Sequence, residues 1–572
     1  MKSEKKYAVR GRIAGLGLFA IFVLGALASA FAQGNSAAAQ TIAGPSKHVQ
    51  LEGELEILQQ DFKDHGRLLY SLKQQDGTRV PLHFQKEPPT HLLTGDHVTA
   101  EGDLSGGNLV LYSGSSLTTN TKTTSTSTTT STGPVLNTLG AQYTLVMLVN
   151  FQDDPVQPYT ISDAQTLFSG SVNDFFVENS YGQTSIVPTV VGWYTIPDSV
   201  TTCNLAQIAT DAQNAAVAAG TNLSNYTRYV YAFPQNNACG FAGSSYVGGN
   251  PSQNWINGNN LDIHVIDHEL GHAFGLWHSH SLNCGTSATI CSSGTVVEYG
   301  DNLDVMGTPQ TASPDYNAFQ KERLGWLNSG GSPSVTTVTS SGTYTITPYE
   351  LGSGPNALKI LKSTDPTTGA KTWYYLEARQ AAGFDSFLSS SVYYTQNETT
   401  GLLFHLGTDG NGNSSESIDM TPATPTTSGW FDPSLVVGQS FQDSAAGVTF
   451  TPTAVSSTGA TVQVTLNGSS PAPSAISVNT NQSSYLPGQT VGMTVTALSG
   501  TSPDVGAGVT VTVTSPNGRS TTLTGTTGSN GVALLNYRLS KRAVAGSYSV
   551  QATTTVTGAS SIQGASTSFT VQ

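Results

Sequence analysis

The stretch His268-Glu-Leu-Gly-His-Ala-Phe-Gly-Leu-Trp-His278 holds three histidines at a defined spacing. His268 and His272 are four residues apart, so on a helix their side chains lie on one face, one turn apart. Two imidazoles placed in this way can bind one zinc ion. Glu269 directly follows the first ligand, where its carboxylate can contact water on the metal and act as a general base. The spacing therefore predicts a helix that presents a zinc site with Glu269 beside it.

Gly275 marks the predicted end of this helix. A sharp turn after a helix often needs a positive φ, which glycine adopts without strain. The turn is expected to bring His278 round as the third zinc ligand and to leave the fourth position open for water. His280 is the alternative third ligand, although the spacing favours His278. His264, one turn before the first ligand, is expected to pack or to form a hydrogen bond.

The full pattern H-E-x-x-H-x-x-G-x-x-H resembles the motif of the metzincin zinc peptidases, which also have a methionine turn beneath the metal. Met306 follows in a Gly/Asp-rich loop, and the chain has only 11 His and 5 Met, which disfavours chance. The runs Glu298-Tyr-Gly-Asp301, Asn179-Ser-Tyr-Gly182 and Leu324-Gly-Trp326 are most similar to the gametolysin group of metzincins. The resemblance is strong over roughly residues 140–330 and loose over the β domain that follows, and it implies endopeptidase activity against extracellular glycoproteins.

Two departures from the metzincin pattern affect the expected site. Thr308 stands two residues after Met306, where the astacin and serralysin branches carry a tyrosine, so that fifth ligand is expected to be absent. No cysteine precedes Cys203, so a propeptide within residues 33–112 has no thiol with which to cover the metal. A carboxylate or a steric cover would have to keep such an enzyme latent.

The first residues predict export from the cytoplasm. Lysines and arginines precede an apolar run over residues 13–28, and A-x-A patterns end at Ala30 and Ala32, which is typical of a secretory signal peptide. An uncleaved N-terminal anchor is the alternative, because the run is just short of a membrane span. No later apolar stretch approaches membrane length, so we expect a secreted protein without a transmembrane span in the mature chain.

The four cysteines are Cys203, Cys239, Cys284 and Cys291, and three pairings are possible in an oxidising compartment. We expect Cys203 to pair with Cys239 and Cys284 with Cys291, since the second pair closes a short Gly/Ser/Thr-rich loop. Zinc binding by these thiols is disfavoured because no C-x-x-C pattern occurs.

Composition predicts several β-rich domains around the metal motif. The chain has 572 residues, of which 10% are charged, and its net charge of −14 argues against a nucleic-acid partner. The predicted fold is multidomain, with an α/β (α+β) metzincin-like catalytic domain flanked by all-β domains. The predicted segments are a signal peptide (1–32), a small β-barrel-like domain that serves as propeptide or accessory domain (48–113), a Ser/Thr-rich linker (114–140), the catalytic domain (141–330), a β-sandwich (335–468) and an immunoglobulin-like sandwich (474–572).

The predicted function is a secreted zinc endopeptidase with one catalytic zinc ion and a protein or glycoprotein substrate. The alternative is a surface adhesin or carbohydrate-binding protein with a vestigial peptidase domain, whose C-terminal β domains bind a polysaccharide or a cell-surface ligand. The intact base and all three histidines argue against a decayed site. Asp409-Gly-Asn-Gly-Asn413 resembles part of a calcium loop, but the bidentate Glu at the twelfth position is missing. A polar turn is therefore favoured, and a structural calcium ion has no support.

Overall fold

A computed structural model describes the chain from residue 46 onward. The described ranges are 46–63, 65–119, 134–291, 293–307, 313–389, 397–424, 432–466, 475–499, 502–504, 506–528, 530–555 and 564–572. The predicted signal peptide and most of the Ser/Thr-rich linker lie outside them. Of the helices in these ranges, none combines the length and apolarity needed to cross a membrane.

The N-terminal residues form a small barrel. Its strands are β1 (Lys47–Asp61), β2 (Gly66–Lys73), β3 (Arg79–Phe84), β4 (His97–Ser105) and β5 (Asn108–Leu111), followed by the short β6 (Leu117–Thr119). The pairings β1–β2–β3–β5–β4–β1 close a circuit of five strands. Alternate residues of these strands, including Leu55, Ile57 and Leu72, point inwards and are fully buried.

The next stretch combines a mainly parallel sheet with helices on both faces. Its elements are β7 (Gly140–Phe151), α1 (Ile161–Leu167), α2 (Asn173–Asn179), β8 (Thr184–Ile196), α3 (Leu205–Ala218), β9 (Arg228–Phe233), β10 (Gly243–Tyr246), β11 (Ser252–Asn257) and α4 (Ile263–Ala273). The strand order is β10-β11-β9-β7-β8, in which β10 is antiparallel to β11 and pairs on its other side with β1 of the barrel.

The central strand β7 is apolar throughout because helices cover it on both sides. Leu145, Met147 and Val149 belong to the core that includes α3, whereas Val146 and Leu148 belong to the core that includes α2 and α4. The sheet thus supports α4, the helix that carries the histidine motif, from beneath.

The chain after α4 does not separate cleanly from the predicted β-sandwich. After β12 (Ser279–Asn283), β13 (Thr295–Val297) and α5 (Ala318–Arg323), the sandwich is built from β14 (Ser334–Val338), β15 (Gly342–Ile346), β16 (Pro355–Thr364), β17 (Lys371–Glu377), β18 (Gly401–Thr408), β19 (Asn411–Ile418), β20 (Leu435–Val436), β21 (Phe441–Asp443), β22 (Val448–Ser456) and β23 (Gly459–Leu466). One of its two sheets includes β12 and β13, because β12 pairs in parallel with β19. The two predicted segments on either side of residue 330 therefore share a sheet.

The last residues form a second two-sheet unit. Its strands are β24 (Ala475–Thr480), β25 (Ser484–Tyr485), β26 (Thr490–Ser499), β27 (Ser502–Pro503), β28 (Gly508–Thr514), β29 (Ser520–Thr526), β30 (Val532–Arg538), β31 (Gly546–Thr555) and β32 (Ser566–Val571). Val495 and Leu535 from one sheet and Val511 and Val550 from the other belong to a single buried core. The predicted immunoglobulin-like character of this unit stays a prediction.

Both expected disulfides are confirmed. Cys203 is bonded to Cys239, and Cys284 is bonded to Cys291. The first bond joins the chain before α3 to the loop before β10, and the second closes the loop between β12 and β13. No described cysteine is free.

Candidate active site

The helix α4 begins at the N-cap residue Asp262, whose side chain accepts a hydrogen bond from the backbone N–H of His264 at 3.0 Å. Ile266 and Leu270, four residues apart, are buried in the core beneath the helix. The other face of the helix carries His268 and His272, whose ring centroids are 4.8 Å apart. The predicted helical presentation of these two residues is thus observed.

The end of α4 explains why Gly275 is a glycine. Its φ is +98°, and its N–H donates to the carbonyl of His272 at 2.7 Å. The N–H of Leu276 donates to the carbonyl of Gly271 at 3.0 Å. These two bonds form a Schellman motif, which reverses the chain directly after the helix. His278 is thereby brought to within 5.0 Å of the His272 ring, measured between centroids.

Each histidine has its Nδ1 atom held by a neighbouring acceptor. The Nδ1 of His268 lies 2.7 Å from the carbonyl of Val305, and that of His272 lies 2.9 Å from the carbonyl of Leu276. The Nδ1 of His278 is hydrogen-bonded to the carboxylate of Glu298. Donation from Nδ1 leaves the Nε2 lone pair of each ring free for a metal, which is the usual arrangement around zinc.

A fourth side chain, Asp61 at the end of β1, completes the cluster. Its Oδ1 lies 2.9 Å from Nε2 of His278, and its Oδ2 lies 3.3 Å from Nε2 of His272 and 3.6 Å from Nε2 of His268. In the described part of the chain, these four residues are the one group of His, Cys, Asp or Glu whose ligand atoms converge, all within 4.8 Å of one another. No sequence pattern pointed to Asp61, which is 217 residues away from His278 along the chain.

The donor set fits a divalent metal ion such as zinc. The buried Nε2 atoms of His268 and His272 and the Oδ2 atom of Asp61 have no hydrogen-bond partner. Burial lowers the pKa of His272 to about 4, so this imidazole is neutral at pH 7 and can donate its lone pair. Burial opposes a charge on His278, but the carboxylates of Asp61 and Glu298 outweigh it and raise its pKa to about 9. The site is thus built to hold a positive charge among its carboxylates.

Glu269 lies next to this cluster and is buried. Burial, together with the nearby carboxylate of Asp61, raises the pKa of Glu269 well above its usual range. The Oε2 atom of Glu269 has no hydrogen-bond partner. Its side chain passes close to the backbone of Gly243 in β10, where an added Cβ would lie 2.5 Å from the Cδ of Glu269. The backbone of β10 therefore limits where this carboxylate can lie.

Met306 packs against α4, the helix that carries two of the histidines. It is fully buried, and its sulfur packs so closely against Gly271 of α4 that a Cβ on that glycine would overlap it. The backbone N–H of Met306 donates to Asp304 at 2.7 Å, and its carbonyl accepts from Ser279 at 2.9 Å. This loop also supplies the Val305 carbonyl that orients the first histidine.

Tyr299 is the second residue at the site that sequence reasoning missed. Its hydroxyl donates to Oδ1 of Asp61 at 2.7 Å, and its ring centroid lies 4.2 Å from that of His278. Tyr299 has a φ of +54°, a left-handed conformation that turns its ring towards the histidines. Thr308, the position that suggested the absence of a tyrosine, lies outside the described residues. A tyrosine therefore reaches the site from before the methionine.

The remaining predicted candidates lie apart from the cluster. His280 bonds through Nε2 to Oδ1 of Asn413 at 3.0 Å, so it is not the third histidine of the group. His264 packs near His268, with 6.0 Å between ring centroids, and burial lowers its pKa to about 4. Asp409 accepts a hydrogen bond from the indole of Trp373 at 2.9 Å, in the turn between β18 and β19. The favoured polar turn agrees with this geometry.

Three converging imidazoles, with a glutamate directly after the first, are the arrangement of a metallopeptidase centre. Residues 165–397 match the family described as gametolysin peptidase M11. The expected resemblance to gametolysins is confirmed for this stretch as a match to a metallopeptidase family. No curated protein is a significant match to the chain.

Solved structures share only weak likenesses with the chain. A tetra-tandem repeat in the extending region of a large adhesion protein is 15% identical, with 40% of this chain and 50% of that chain covered and a TM-score of 0.17. Trypsin-activated alpha-2-macroglobulin from Escherichia coli is 11% identical, with coverage of 36% and 15% and a TM-score of 0.15. A Ca²⁺-stabilised adhesin that helps an Antarctic bacterium bind ice is 10% identical, with coverage of 92% and 94% and a TM-score of 0.17. The chain thus spans half the length of the first of these, and likenesses with such low TM-scores favour neither the adhesin alternative nor a particular fold.

Proposed function

We propose that this chain is a secreted zinc endopeptidase that hydrolyses peptide bonds of extracellular proteins or glycoproteins. The observation that carries the proposal is the convergence of the Nε2 atoms of His268, His272 and His278, with the Glu269 carboxylate beside them. The match to a metallopeptidase family over residues 165–397 supports it. The export signal predicted over residues 1–32 supports the extracellular location.

A bound zinc ion would polarise the scissile carbonyl and lower the pKa of the attacking water. The three histidines would hold the ion, and Glu298 and the Val305 and Leu276 carbonyls keep their rings in the ligating tautomer. Orientation by neighbouring acceptors reduces the entropy that the ligands lose when metal binds.

Glu269 would accept a proton from water as the water attacks the carbonyl carbon, and would then donate it to the leaving amine nitrogen. Its raised pKa fits this exchange, since a more basic carboxylate accepts the proton of the water more readily. The hydroxyl of Tyr299 faces the position held by Oδ1 of Asp61, 2.7 Å away. With that position free, the hydroxyl can donate a hydrogen bond to the carbonyl oxygen as negative charge develops on it.

The test is Glu269→Gln, compared with the wild type under conditions in which the wild type is caseinolytic, because glutamine keeps the shape of the side chain and cannot accept the proton. We expect bound zinc and thermal stability to be retained while caseinolytic activity falls by at least about 10²-fold. Glu52→Gln, the same change on an exposed strand face of the barrel, is the matched control. Wild-type turnover by a zinc-loaded Glu269→Gln variant would refute the role of this residue. Activity that persists after chelation, without added zinc, would refute the enzyme class.

A further inference from the structure

We propose that Leu58–Asp61, termed the plug strand, holds the metal centre closed, with Asp61 as a fourth ligand of the metal in a latent form of the protein. This inference rests on the proposed function. It assigns to the N-terminal barrel the task of keeping both water and substrate out of the site.

The first line of evidence is the number of contacts that converge on a single carboxylate. Asp61 lies within 3.6 Å of all three histidine Nε2 atoms and accepts a hydrogen bond from the Tyr299 hydroxyl. The Gln59 amide also donates to its Oδ1 at 3.0 Å. The side chain of Asp61 is only 11% exposed. A buried carboxylate is costly unless a cation or donors compensate it, and this one converges on three imidazoles, so the geometry suits metal ligation.

The second line of evidence is the pairing of the backbone. The plug strand is antiparallel to β10, with Leu58 opposite Tyr246 and Asp61 opposite Gly243. The hydroxyl of Ser244 donates to the carbonyl of Gln59 at 2.6 Å. The other side of β10 is already paired with β11, so the plug strand takes the remaining edge. An exposed strand edge beside a peptidase centre is where an extended peptide adds by strand pairing.

The third line of evidence is the fit of the hairpin that follows. After Asp61 the chain turns, with the N–H of Phe62 donating to the carbonyl of His65 at 3.1 Å, and re-enters the barrel at Gly66. A Cβ at Gly66 would lie 2.7 Å from Cε1 of His278, so the returning strand passes directly over this ring. Phe62 packs edge-on against Phe241, with ring centroids 6.1 Å apart. The hairpin thus covers the metal centre from the side that faces the barrel.

These contacts have a chemical consequence for the proposed reaction. The Tyr299 hydroxyl donates a hydrogen bond to Asp61, and the Glu269 side chain lies against the same carboxylate. In this form, Asp61 therefore takes the place that the attacking water and the substrate carbonyl would occupy. Activity then requires the plug strand to leave β10. The barrel is joined to the catalytic stretch through residues 113–134, which are mostly Ser and Thr, and small polar residues of this kind are typical of the sites that proteases cut.

The experiment compares the full chain with Asp61→Asn, which keeps the side-chain shape but makes a poor metal ligand. Asp103→Asn, an exposed aspartate on β4 of the same barrel, is the matched control. Each protein is loaded with Co²⁺, whose visible absorption reports the ligand set, and is then titrated with acetohydroxamate, a small metal-binding probe. Zinc release to a chelator and peptidase activity are measured on the zinc-loaded proteins.

We expect the wild type and Asp103→Asn to show the same cobalt spectrum, with no response to millimolar acetohydroxamate. Asp61→Asn is expected to show a shifted spectrum that responds to the probe, zinc release at least about 10-fold faster, and peptidase activity at least about 10-fold higher. A wild-type spectrum that responds fully to acetohydroxamate would overturn the proposal, whether or not the variant folds. An Asp61→Asn variant that loses zinc and activity together would also overturn it, since Asp61 would then be a permanent ligand. Failure of every protein to bind metal would instead refute the proposed function.

Discussion

The backbone of β10 sets the position of the Glu269 carboxylate, and this can be tested with Gly243→Ala. A Cβ at residue 243 would lie 2.5 Å from Cδ and 2.6 Å from Cγ of Glu269. Carbon atoms in contact normally lie about 3.5–4.0 Å apart, so the Glu269 side chain has to move by about 1 Å. Gly243 is not among the glycines with positive φ, so its backbone conformation accepts alanine. The effect of the substitution should therefore fall on the carboxylate.

A displacement of about 1 Å at a catalytic group costs about 10²-fold in rate, which corresponds to about 2.7 kcal/mol in the activation free energy. We expect kcat of the active form on a fluorogenic peptide to fall by about this factor, with zinc content unchanged. Gly258→Ala is the matched control, because a Cβ there approaches nothing closer than the carbonyl of Asn260 at 3.4 Å. It should keep wild-type kcat.

The proposed control of Glu269 by β10 is refuted if Gly243→Ala binds one zinc ion, melts at the wild-type temperature and retains kcat within about threefold. In that case Glu269 either has room to relax without loss or does not carry the proton. A variant that loses zinc as well as activity would show that β10 positions the histidines, and the substitution would then say nothing about the base.

Three further substitutions test two contacts of the site and one buried charge cluster outside it. Glu298→Gln, which weakens the carboxylate partner of His278, should lower zinc affinity by about 10–100-fold in a competition titration with a chelator. Tyr299→Phe should lower kcat by about 10²-fold with little change in KM, because its hydroxyl would act only as charge develops on the carbonyl oxygen. His405 is buried, and although burial opposes its charge, Glu377 and Asp301 outweigh this and raise its pKa to about 10. His405→Gln should therefore lower the free energy of unfolding by about 3–5 kcal/mol below pH 6.5, and the difference from wild type should shrink as pH rises towards 10, as measured by chemical denaturation.

The local part of the site was predictable from the sequence. The spacing of His268 and His272 needs only a helix, and the position of His278 needs only a turn with positive φ at Gly275, which the structure has. Met306 was recognised from its loop and from the family resemblance. The three histidines and Gly275 lie within one short stretch of chain, so the local backbone conformation alone determines their relative positions.

The non-local part of the site was not predictable. Asp61 ends an ordinary strand, and nothing in its neighbours distinguishes it from the exposed carboxylates of the same barrel. Its position depends on the pairing of β1 with β10, a contact between residues far apart in the chain. Tyr299 lies in the Glu298–Asp301 run that resembles gametolysins, but that resemblance did not show where its side chain points. The orientation depends on a left-handed backbone conformation that a non-glycine residue rarely adopts.

The organisation of the C-terminal half was predicted only in outline. Strand patterns beyond residue 335 indicated a sandwich, and two packed sheets are present. The sequence pattern did not predict that β12 belongs to this sheet, because Ser279-His-Ser-Leu-Asn283 does not alternate apolar and polar residues. Its backbone groups are satisfied by β19 and β13, so the pairing comes from the surrounding sheet rather than from the pattern of β12 itself.

The parallel pairing of β12 with β19 limits how the histidine site could be recombined with other domains. The strand begins at Ser279, directly after the third histidine, so the register with β19 sets where that imidazole lies. A transplant that ended near residue 330 would carry the whole histidine motif but would leave β12 without its neighbour. The part of the chain needed to form this histidine site therefore extends at least to Ile418. Gene fusions or domain shuffling should keep β12 and β19 together.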